Sequence, residues 1–212
     1  MPVLGRTFYF PFSHTTRVDA LFTHLGNEVT DVEVEVHDSH GDQVLCRRFM
    51  DVPERGSVTT RGDAKSDNLS RFVGSNMVGL VAVQGARNAL LTASALIIGK
   101  GMTSCALLRP LSYAVGTQMH ATIAIGEKFH LLLANPFAAE VQATVEVAPS
   151  GEPYRPLQEP LALGRNQVCM TEDAFVLGKP SVVRVCCDSG TPILAWGLGI
   201  GGNRSELYPL YG

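Results

Sequence analysis

The amino-acid sequence predicts an all-β protein made of two tandem antiparallel β-sandwich or barrel-like modules, related by internal duplication. Three observations predict this class. Apolar and polar residues alternate with a period of two, one stretch recurs in the second half, and Gly and Pro punctuate the chain. The 212 residues include 21 Gly and 12 Pro. This frequency fits the spacing of roughly 8–12 residues between turns in β-sandwiches.

The period of two is clearest in the segment DVEVEVHD. Val32, Val34 and Val36 share one face there, while Glu33 and Glu35 share the other. Such alternation is typical of a strand with one buried and one solvated face. A turn rich in Asp, Ser and Gly follows, as in a hairpin. Two later apolar runs, MVGLVAVQGARNALLTASALIIG and SVVRVCCDSGTPILAWGLGIGG, each indicate two strands around a turn that contains Gly.

The repeat relates residues 18–44 to residues 129–154. Its gaps fall in polar loops, as a duplication predicts. We therefore expect one module over residues 1–100 and a second, with a C-terminal tail, over residues 101–212. The offset is 111 at first, then 110 and finally 103, which gives these pairs: Phe22 with Leu133, Val34 with Val145, Arg55 with Arg165, Val58 with Val168, Val83 with Cys186, Leu90 with Ile193.

Low charge predicts an oligomer. Charged residues make up 17% of the chain, below the roughly 25% usual for soluble domains. Arg outnumbers Lys by 13 to 4, and Arg is favoured at interfaces because its planar guanidinium pairs and stacks well. A surface short of charge is often covered by another subunit. We expect a homo-oligomer, with a different protein as an alternative partner.

Several classes of partner and location are disfavoured. The net charge of −3 is spread evenly along the chain, which lacks the basic footprint of a nucleic-acid-binding protein. No apolar run approaches the roughly 20 residues of a membrane helix, so we expect no membrane insertion. Five cysteines without a CxxC spacing fit reduced thiols in a cytoplasm. No motif calls for a cofactor.

A metal site is one candidate for chemistry. His37 and His40 lie with Asp38 and Asp42 in the turn VHDSHGDQV, and imidazole with carboxylate can hold zinc. The second half has APSGEPY there and keeps none of these ligands. Turn formation by Asp, Ser and Gly is therefore the favoured explanation, and a metal-dependent enzyme is the least favoured function.

A ligand platform is the second candidate. Trp196 stands close in sequence to Asn203 and Arg204, and an aromatic ring beside such polar groups is a common anchor for sugars. The alignment pairs Trp196 with Ala93 in an apolar run, so core packing is favoured over ligand binding.

The C-terminal tail is a candidate interface with another protein. Its apolar residues, as an extended peptide, could add to the sheet edge of a neighbouring subunit. The residues concerned are Leu207, Tyr208, Leu210 and Tyr211.

The first half contains the short motifs GRTFYFPF, VPERGSV and ARNALLTASAL, and the second half contains LLLANP and SGTPILAWG. They resemble the small bacterial β-sandwich modules of the sensory rhodopsin transducer family. That resemblance implies a non-enzymatic, oligomeric cytoplasmic protein that binds another protein or a small ligand. The chain departs from it in being a tandem and in having Leu25-Gly26-Asn27 where the second half has an Asn135-Pro136 turn.

Taken together, these features favour a non-enzymatic interaction or scaffold protein of the bacterial cytoplasm, similar to a signalling adaptor. A carbohydrate- or small-ligand-binding module is the alternative.

Overall fold

The computed structural model describes residues 4–13, 17–59, 78–99, 102–123, 128–171, 175–188, 190–201 and 204–210. The chain divides into two compact units, Met1–Tyr113 (unit 1) and Ala114–Gly212 (unit 2). In the described residues, regular structure is all strand except for one helix, α1, at Leu111–Ala114. No helix among them is long and apolar enough to cross a membrane.

Unit 1 is built from these strands: β1 Thr7–Ser13, β2 Arg17–His24, β3 Thr30–His37, β4 Gln43–Val52, β5 Ser57–Thr59, β6 Val78–Gly85, β7 Leu91–Gly99, β8 Met102–Leu108. They form two antiparallel sheets with the orders β1-β6-β3-β4 and β5-β2-β7-β8. The boundary between the units falls after Tyr113, later than the expected division at residue 100, because β8 pairs with β7 and completes the second sheet.

Unit 2 contains the remaining strands: β9 Gln118–Ile123, β10 Lys128–Ala134, β11 Val141–Pro149, β12 Arg155–Pro156, β13 Leu161–Leu163, β14 Val168–Met170, β15 Phe175–Val176, β16 Ser181–Cys187, β17 Leu194–Gly201, β18 Arg204–Pro209. One sheet has the order β12-β11-β16-β9, with β13 also paired to β11. The other has the order β14-β10-β17-β18, with β15 also paired to β10.

Both units follow the same strand order, with β9, β10 and β11 in the places of β1, β2 and β3. Register defines equivalent residues. Val34 pairs with Val83 in unit 1, and Val145 pairs with Val185 in unit 2. Val83 is therefore equivalent to Val185 and not to Cys186, as the sequence alignment had it. The true offset here is 102.

The same slip of one residue affects other aligned positions. Phe22 pairs with Val58, and its equivalent Leu133 pairs with Cys169, so Val58 corresponds to Cys169. Isolated bridges join Gly5 to Leu91 and Gly116 to Ile193, which makes Leu91, and not Leu90, the equivalent of Ile193. A slip of one residue exchanges the two faces of a strand, so these corrections decide which side chains share a face.

Each unit has its core between its two sheets. In unit 1, Phe8 and Phe10 of one sheet meet Phe22 of the other, with ring centroids 5.4 and 6.4 Å apart. The unit 2 core draws on both sheets, including Leu131 and Val185, which are fully buried. Each such side chain contributes about 1.5–3 kcal/mol through removal from water. The cores thus hold the two sheets of each unit together, and the loops and outer sheet faces are the parts exposed to solvent.

Candidate functional site

The loops at one end of unit 1 expose four large apolar side chains, which we call the apolar loop end. Leu4 is 43% exposed, Leu25 42%, Val29 58% and Leu90 46%. Single exposed apolar residues are ordinary, but a contiguous group of them on a soluble protein marks an interaction surface.

Backbone hydrogen bonds join two of these residues and fix the segment that carries a third. Leu25 N–H donates to the carbonyl of Leu90 at 2.8 Å. Gly5 and Leu91 exchange backbone hydrogen bonds of 2.9 and 2.8 Å in an antiparallel bridge, which sets Leu4 opposite Thr92, two residues from Leu90. The group is therefore part of the ordered backbone network of the unit.

Asn88 fixes the fourth member. Its side-chain amide donates to the carbonyl of Val29 at 2.8 Å, and its Oδ1 accepts from the hydroxyl of Thr30 at 3.1 Å. The loop between β2 and β3 is thereby tied to the loop between β6 and β7, and Val29 is held in the same region as Leu25 and Leu90.

His24 stabilises the apolar loop end through hydrogen bonds with the backbone of its loops. It is fully buried. Its Nε2 lies 2.7 Å from the carbonyl of Glu28, and its Nδ1 lies 3.3 Å from the backbone nitrogen of Leu90. Since a carbonyl can only accept and a backbone N–H can only donate, Nε2 carries the hydrogen and Nδ1 accepts. The imidazole of His24 therefore forms a hydrogen bond with one backbone group in each of the two loops.

Charged residues of both signs border the apolar loop end. Arg6 reaches the carbonyl of Arg87 at 3.3 Å, and Glu28 lies 3.5 Å from the amide of Asn88. Glu54 and Arg55 form an exposed ion pair next to the strand that ends at His24. The border is therefore mixed in charge.

The corresponding end of unit 2 has a different surface. By register, Leu4, Leu25 and Leu90 correspond to Val115, Pro136 and Pro192, which are half-buried, and Val29 corresponds to the exposed Glu140. Asn135 takes the place of His24 and donates to the carbonyls of Ala139 at 2.7 Å and Leu163 at 3.0 Å. The strand order is shared, but the apolar loop end belongs to unit 1.

A second group of interest lies on the outer face of the sheet β1-β6-β3-β4. Glu33 and Glu35 on β3 face Cys46 on β4, with one potential ligand atom of each within 4.8 Å of the others. His37 Nε2 lies 3.2 Å from Glu35 Oε2. We call Glu33, Glu35, His37 and Cys46 the donor cluster. Arg48 borders it and donates to Glu33 at 2.7 and 3.1 Å, which holds the pKa of Glu33 below its usual range.

The structure separates the two histidines proposed from the sequence as metal ligands. His37 is 3% exposed and meets Glu35 of its own strand. His40 lies on the exposed turn, where its backbone N–H donates to Asp38 Oδ1 at 2.9 Å. The Asp38 carboxylate thus forms the turn, in agreement with the favoured explanation of this segment.

The equivalent outer face of unit 2 also carries an Arg–Glu ion pair. Arg184 donates to Glu146 at 2.7 Å, and its guanidinium lies 3.9 Å from the ring centroid of Tyr154. Cys186 Sγ lies 3.9 Å from the same carboxylate. Because Arg184 already covers one face of Tyr154, the arrangement joins neighbouring strands and leaves less of the ring for a ligand.

Trp196 is 5% exposed and sits on β17, where it pairs with Leu132. Register makes its unit 1 equivalent Ser94 and not Ala93. This burial is what the core-packing interpretation expects, and it leaves little of the indole for a sugar. Asn203 lies outside the described residues. Arg204 begins β18, opposite Gly201.

The tail forms a strand of its own unit, and its docking on a neighbouring subunit stays a prediction. Leu207 and Tyr208 belong to β18, which pairs with β17. Leu210 is 1% exposed within the unit 2 core and donates its N–H to Ala195 at 2.9 Å. The side chain of Leu210 is therefore part of the core of unit 2. Tyr211 lies outside the described residues.

Sequence reasoning missed both groups. The signal for the apolar loop end was the alignment of the two halves, since Val29 occupies a position where the second half has Glu140. The signal for the donor cluster was the alternation in β3, which places Glu33, Glu35 and His37 on one face. Only the pairing of β3 with β4 adds Cys46 to them.

No family model matches the chain, and no curated protein matches it. Solved structures give weak similarities. One is an anti-sigma factor domain-containing protein from Clostridium clariflavum, with 9% identity, 100% of this chain and 99% of that chain covered, and a TM-score of 0.30.

Two others have TM-scores of 0.25. A turret protein of Sulfolobus turreted icosahedral virus is 11% identical, with 95% of each chain covered. A tandem CBM22 domain from Paenibacillus barcinonensis is 10% identical, with 98% of this chain and 85% of that chain covered. Similarities at this level support no conclusion about function.

Proposed function

We propose that this protein is a non-enzymatic interaction or scaffold protein of the cytoplasm that associates with copies of itself through the apolar loop end of unit 1. The observation that carries the proposal is the exposure of Leu4, Leu25, Val29 and Leu90 in one ordered region. Removing these side chains from water on association supplies a driving force of about 25 cal/mol per Å² of apolar surface.

The order of this region supports an interface. A partner that binds flexible loops must offset the entropy of ordering them. Here His24 and Asn88 already tie the two loops together through hydrogen bonds of 2.7 and 2.8 Å to Glu28 and Val29. The apolar side chains are thus presented on a backbone that needs little reorganisation.

The charged border supports self-association in particular. A twofold interface places the same surface opposite itself, so a border of one sign would repel its copy. Arg6 and Arg87, together with Glu28 and Glu54, give this border both signs. We therefore propose a twofold dimer as the basic assembly. Carbohydrate binding is less well supported, since Trp196 is buried and Tyr154 is already covered on one face by Arg184.

The proposal is tested by measuring the mass of the untagged protein in solution by light scattering over a range of concentrations. Val29→Glu introduces the residue that unit 2 has at the equivalent position, so the loop should accept it. We expect it to weaken the dimer at least tenfold. Leu21→Lys is the matched control, because Leu21 is 46% exposed but lies within β2, outside the apolar loop end. A monomeric wild-type protein, or a dimer that Val29→Glu leaves unchanged, would refute the proposal.

A further inference from the structure

Strand β4 forms an exposed edge of its sheet in unit 1. Among the described strands it pairs with β3 alone, so none of them lies along its other side. No residue from Gln43 to Asp51 is buried. In an antiparallel strand, alternate residues direct their N–H and C=O groups away from the neighbouring strand, and a row of such groups is a template for another strand. The edge of β4 therefore offers backbone donors and acceptors to an extended peptide.

The regular part of this edge covers residues 45–49. These residues pair with β3 in an unbroken register, from Leu45 opposite Val36 to Phe49 opposite Val32, and register shifts lie on either side. A β-bulge bends its strand and interrupts regular pairing. An added strand would therefore pair with residues 45–49.

The core-facing side of this segment is incompletely covered. Its residues are Leu45, Arg47 and Phe49, which are half-buried. Their partners on β3 are three valines that are at most 4% exposed. Leu45 and Phe49 thus leave apolar surface beside the edge, and apolar side chains of an added strand would remove it from water.

The equivalent edge of unit 2 is protected against strand addition. Its edge strand β12 consists of Arg155 and Pro156. Pro156 stands at the position of Cys46, because these two residues pair with the equivalent residues Glu146 and Glu35. Proline lacks the N–H of a ladder hydrogen bond, and its presence on an edge strand prevents pairing. The sequence of β4 contains no proline, so the edge open to pairing belongs to unit 1.

Charge indicates which kind of strand fits this edge. Arg47 and Arg48 lie in the middle of residues 45–49, Arg47 on the core-facing side and Arg48 on the outer face beside Glu33. If two copies of the segment paired antiparallel over its full length, Arg47 would lie opposite the same residue of the other copy. Like charges directly opposite each other destabilise a pair of strands, whereas opposite charges stabilise it. A strand with an acidic residue opposite Arg47 is therefore favoured over a second copy of β4.

We propose that β4 binds an extended, acidic segment of another protein by strand addition. The segment pairs antiparallel with residues 45–49 and places an acidic residue opposite Arg47, between two apolar residues that cover Leu45 and Phe49. Main-chain hydrogen bonds supply the affinity in this mode of binding, and alternate side chains supply the specificity. Residues 45–49 are not part of the apolar loop end, and neither proposal depends on the other.

The experiment uses the untagged protein and a fluorescein-labelled peptide, Thr-Val-Thr-Glu-Thr-Val-Thr, with binding followed by fluorescence anisotropy. We expect saturable binding, and binding at least about fivefold weaker when Lys replaces Glu in the peptide, because Lys would lie opposite Arg47. Arg47→Gln should remove this difference between the two peptides. Arg155→Gln is the matched control, because Arg155 is exposed on the edge strand of unit 2, and it should keep the preference of the wild type.

Two N-methylated peptides test the backbone pairing. One carries methyl groups on the nitrogens of its Thr residues, and the other carries them on the nitrogens of Val and Glu. Only one of these two sets points toward β4, so one peptide should lose binding and the other should keep it. Equal behaviour of the two would overturn the proposal, as would failure of the wild type to bind the Glu peptide.

Two further measurements separate this site from self-association. Val29→Glu should bind the Glu peptide as the wild type does, since Val29 lies in the apolar loop end, and a loss of binding in this variant would overturn the assignment to β4. Light scattering of the wild type with the Glu peptide should show an unchanged assembly. Conversion of a dimer to monomers by the peptide would show that a second copy occupies β4, and would overturn the choice of partner.

Discussion

His24 and Asn135 occupy the same position in the two units and support the same loop with different side chains. Both are fully buried. The imidazole of His24 bonds to the carbonyl four residues on, at Glu28, and the amide of Asn135 does the same at Ala139, each at 2.7 Å. The position thus requires a hydrogen-bond donor of suitable reach, and not histidine as such.

Removal of the imidazole should therefore destabilise unit 1, whereas replacement by the amide should be tolerated better. In His24→Ala, the carbonyl of Glu28 and the N–H of Leu90 lose a partner, and we expect a loss of about 2–4 kcal/mol in the free energy of unfolding. His24→Asn should lose less than half as much. Urea denaturation followed by circular dichroism measures both.

Asn135→Ala provides the control for unit 2. The chain has a single tryptophan, Trp196, which lies in unit 2, so its fluorescence reports the unfolding of that unit. Asn135→Ala should shift the fluorescence transition to lower urea. Equal stability of His24→Ala and the wild type would contradict the role assigned to this position.

The turn after β11 depends on a glycine with a left-handed backbone. Gly151 has a φ of +81°, and a Cβ added to it would meet nothing within 4 Å. Gly151→Ala should therefore cost about 1–2 kcal/mol through backbone strain alone. Gly178→Ala is the matched control, because Gly178 has the same open surroundings without a positive φ. Tryptophan fluorescence in urea compares them, and equal stabilities would argue against strain at Gly151.

Leu132 and Leu21 are equivalent by register, since Leu132 pairs with Trp196 and Leu21 with Ser94. Leu132 is 2% exposed and Leu21 is 46% exposed. Leu132→Ala should lower the free energy of unfolding by about 2–5 kcal/mol, because it leaves a cavity and loses buried apolar surface. Leu21→Ala should cost less than about 1 kcal/mol. Thermal denaturation of the two variants tests this difference, and similar losses would contradict it.

Thiol reactivity should follow burial. Burial raises the pKa of Cys169 to about 11, so at pH 8 only about one molecule in a thousand carries the thiolate, the form that reacts. Cys46 is exposed, although its pKa is also raised. Brief iodoacetamide treatment followed by peptide mass spectrometry should label Cys46 first, and the rate at Cys169 should rise with pH. In urea both should react at similar rates. Fast labelling of Cys169 in the folded protein would contradict the assignment.

The all-β class, and which side chains of β3 face the core, could be predicted because that strand has one face exposed to solvent. Val32, Val34 and Val36 are buried, as their alternation with Glu33 and Glu35 predicts. The phase of β6 could not be predicted in the same way. All of its residues from Val78 to Val83 are buried, so apolar residues occur on both faces and permit an alignment shifted by one residue.

The candidate sites were harder to predict because they depend on contacts distant in sequence. Leu25 and Leu90 meet only through a backbone hydrogen bond between two loops. Cys46 joins Glu35 only through the register of β3 and β4. The burial of Leu210 was missed because an apolar tail has the same composition whether it completes its own core or that of a neighbour.

In the proposed assembly, Glu140 at the unit 2 position equivalent to Val29 limits how far association can proceed. If both units had an apolar loop end, each chain would have two association sites, and chains could join without limit into fibres. With one apolar loop end among the described residues, each chain would have a single association site, which one partner would occupy. The difference between the two units would in this way stop growth at the dimer.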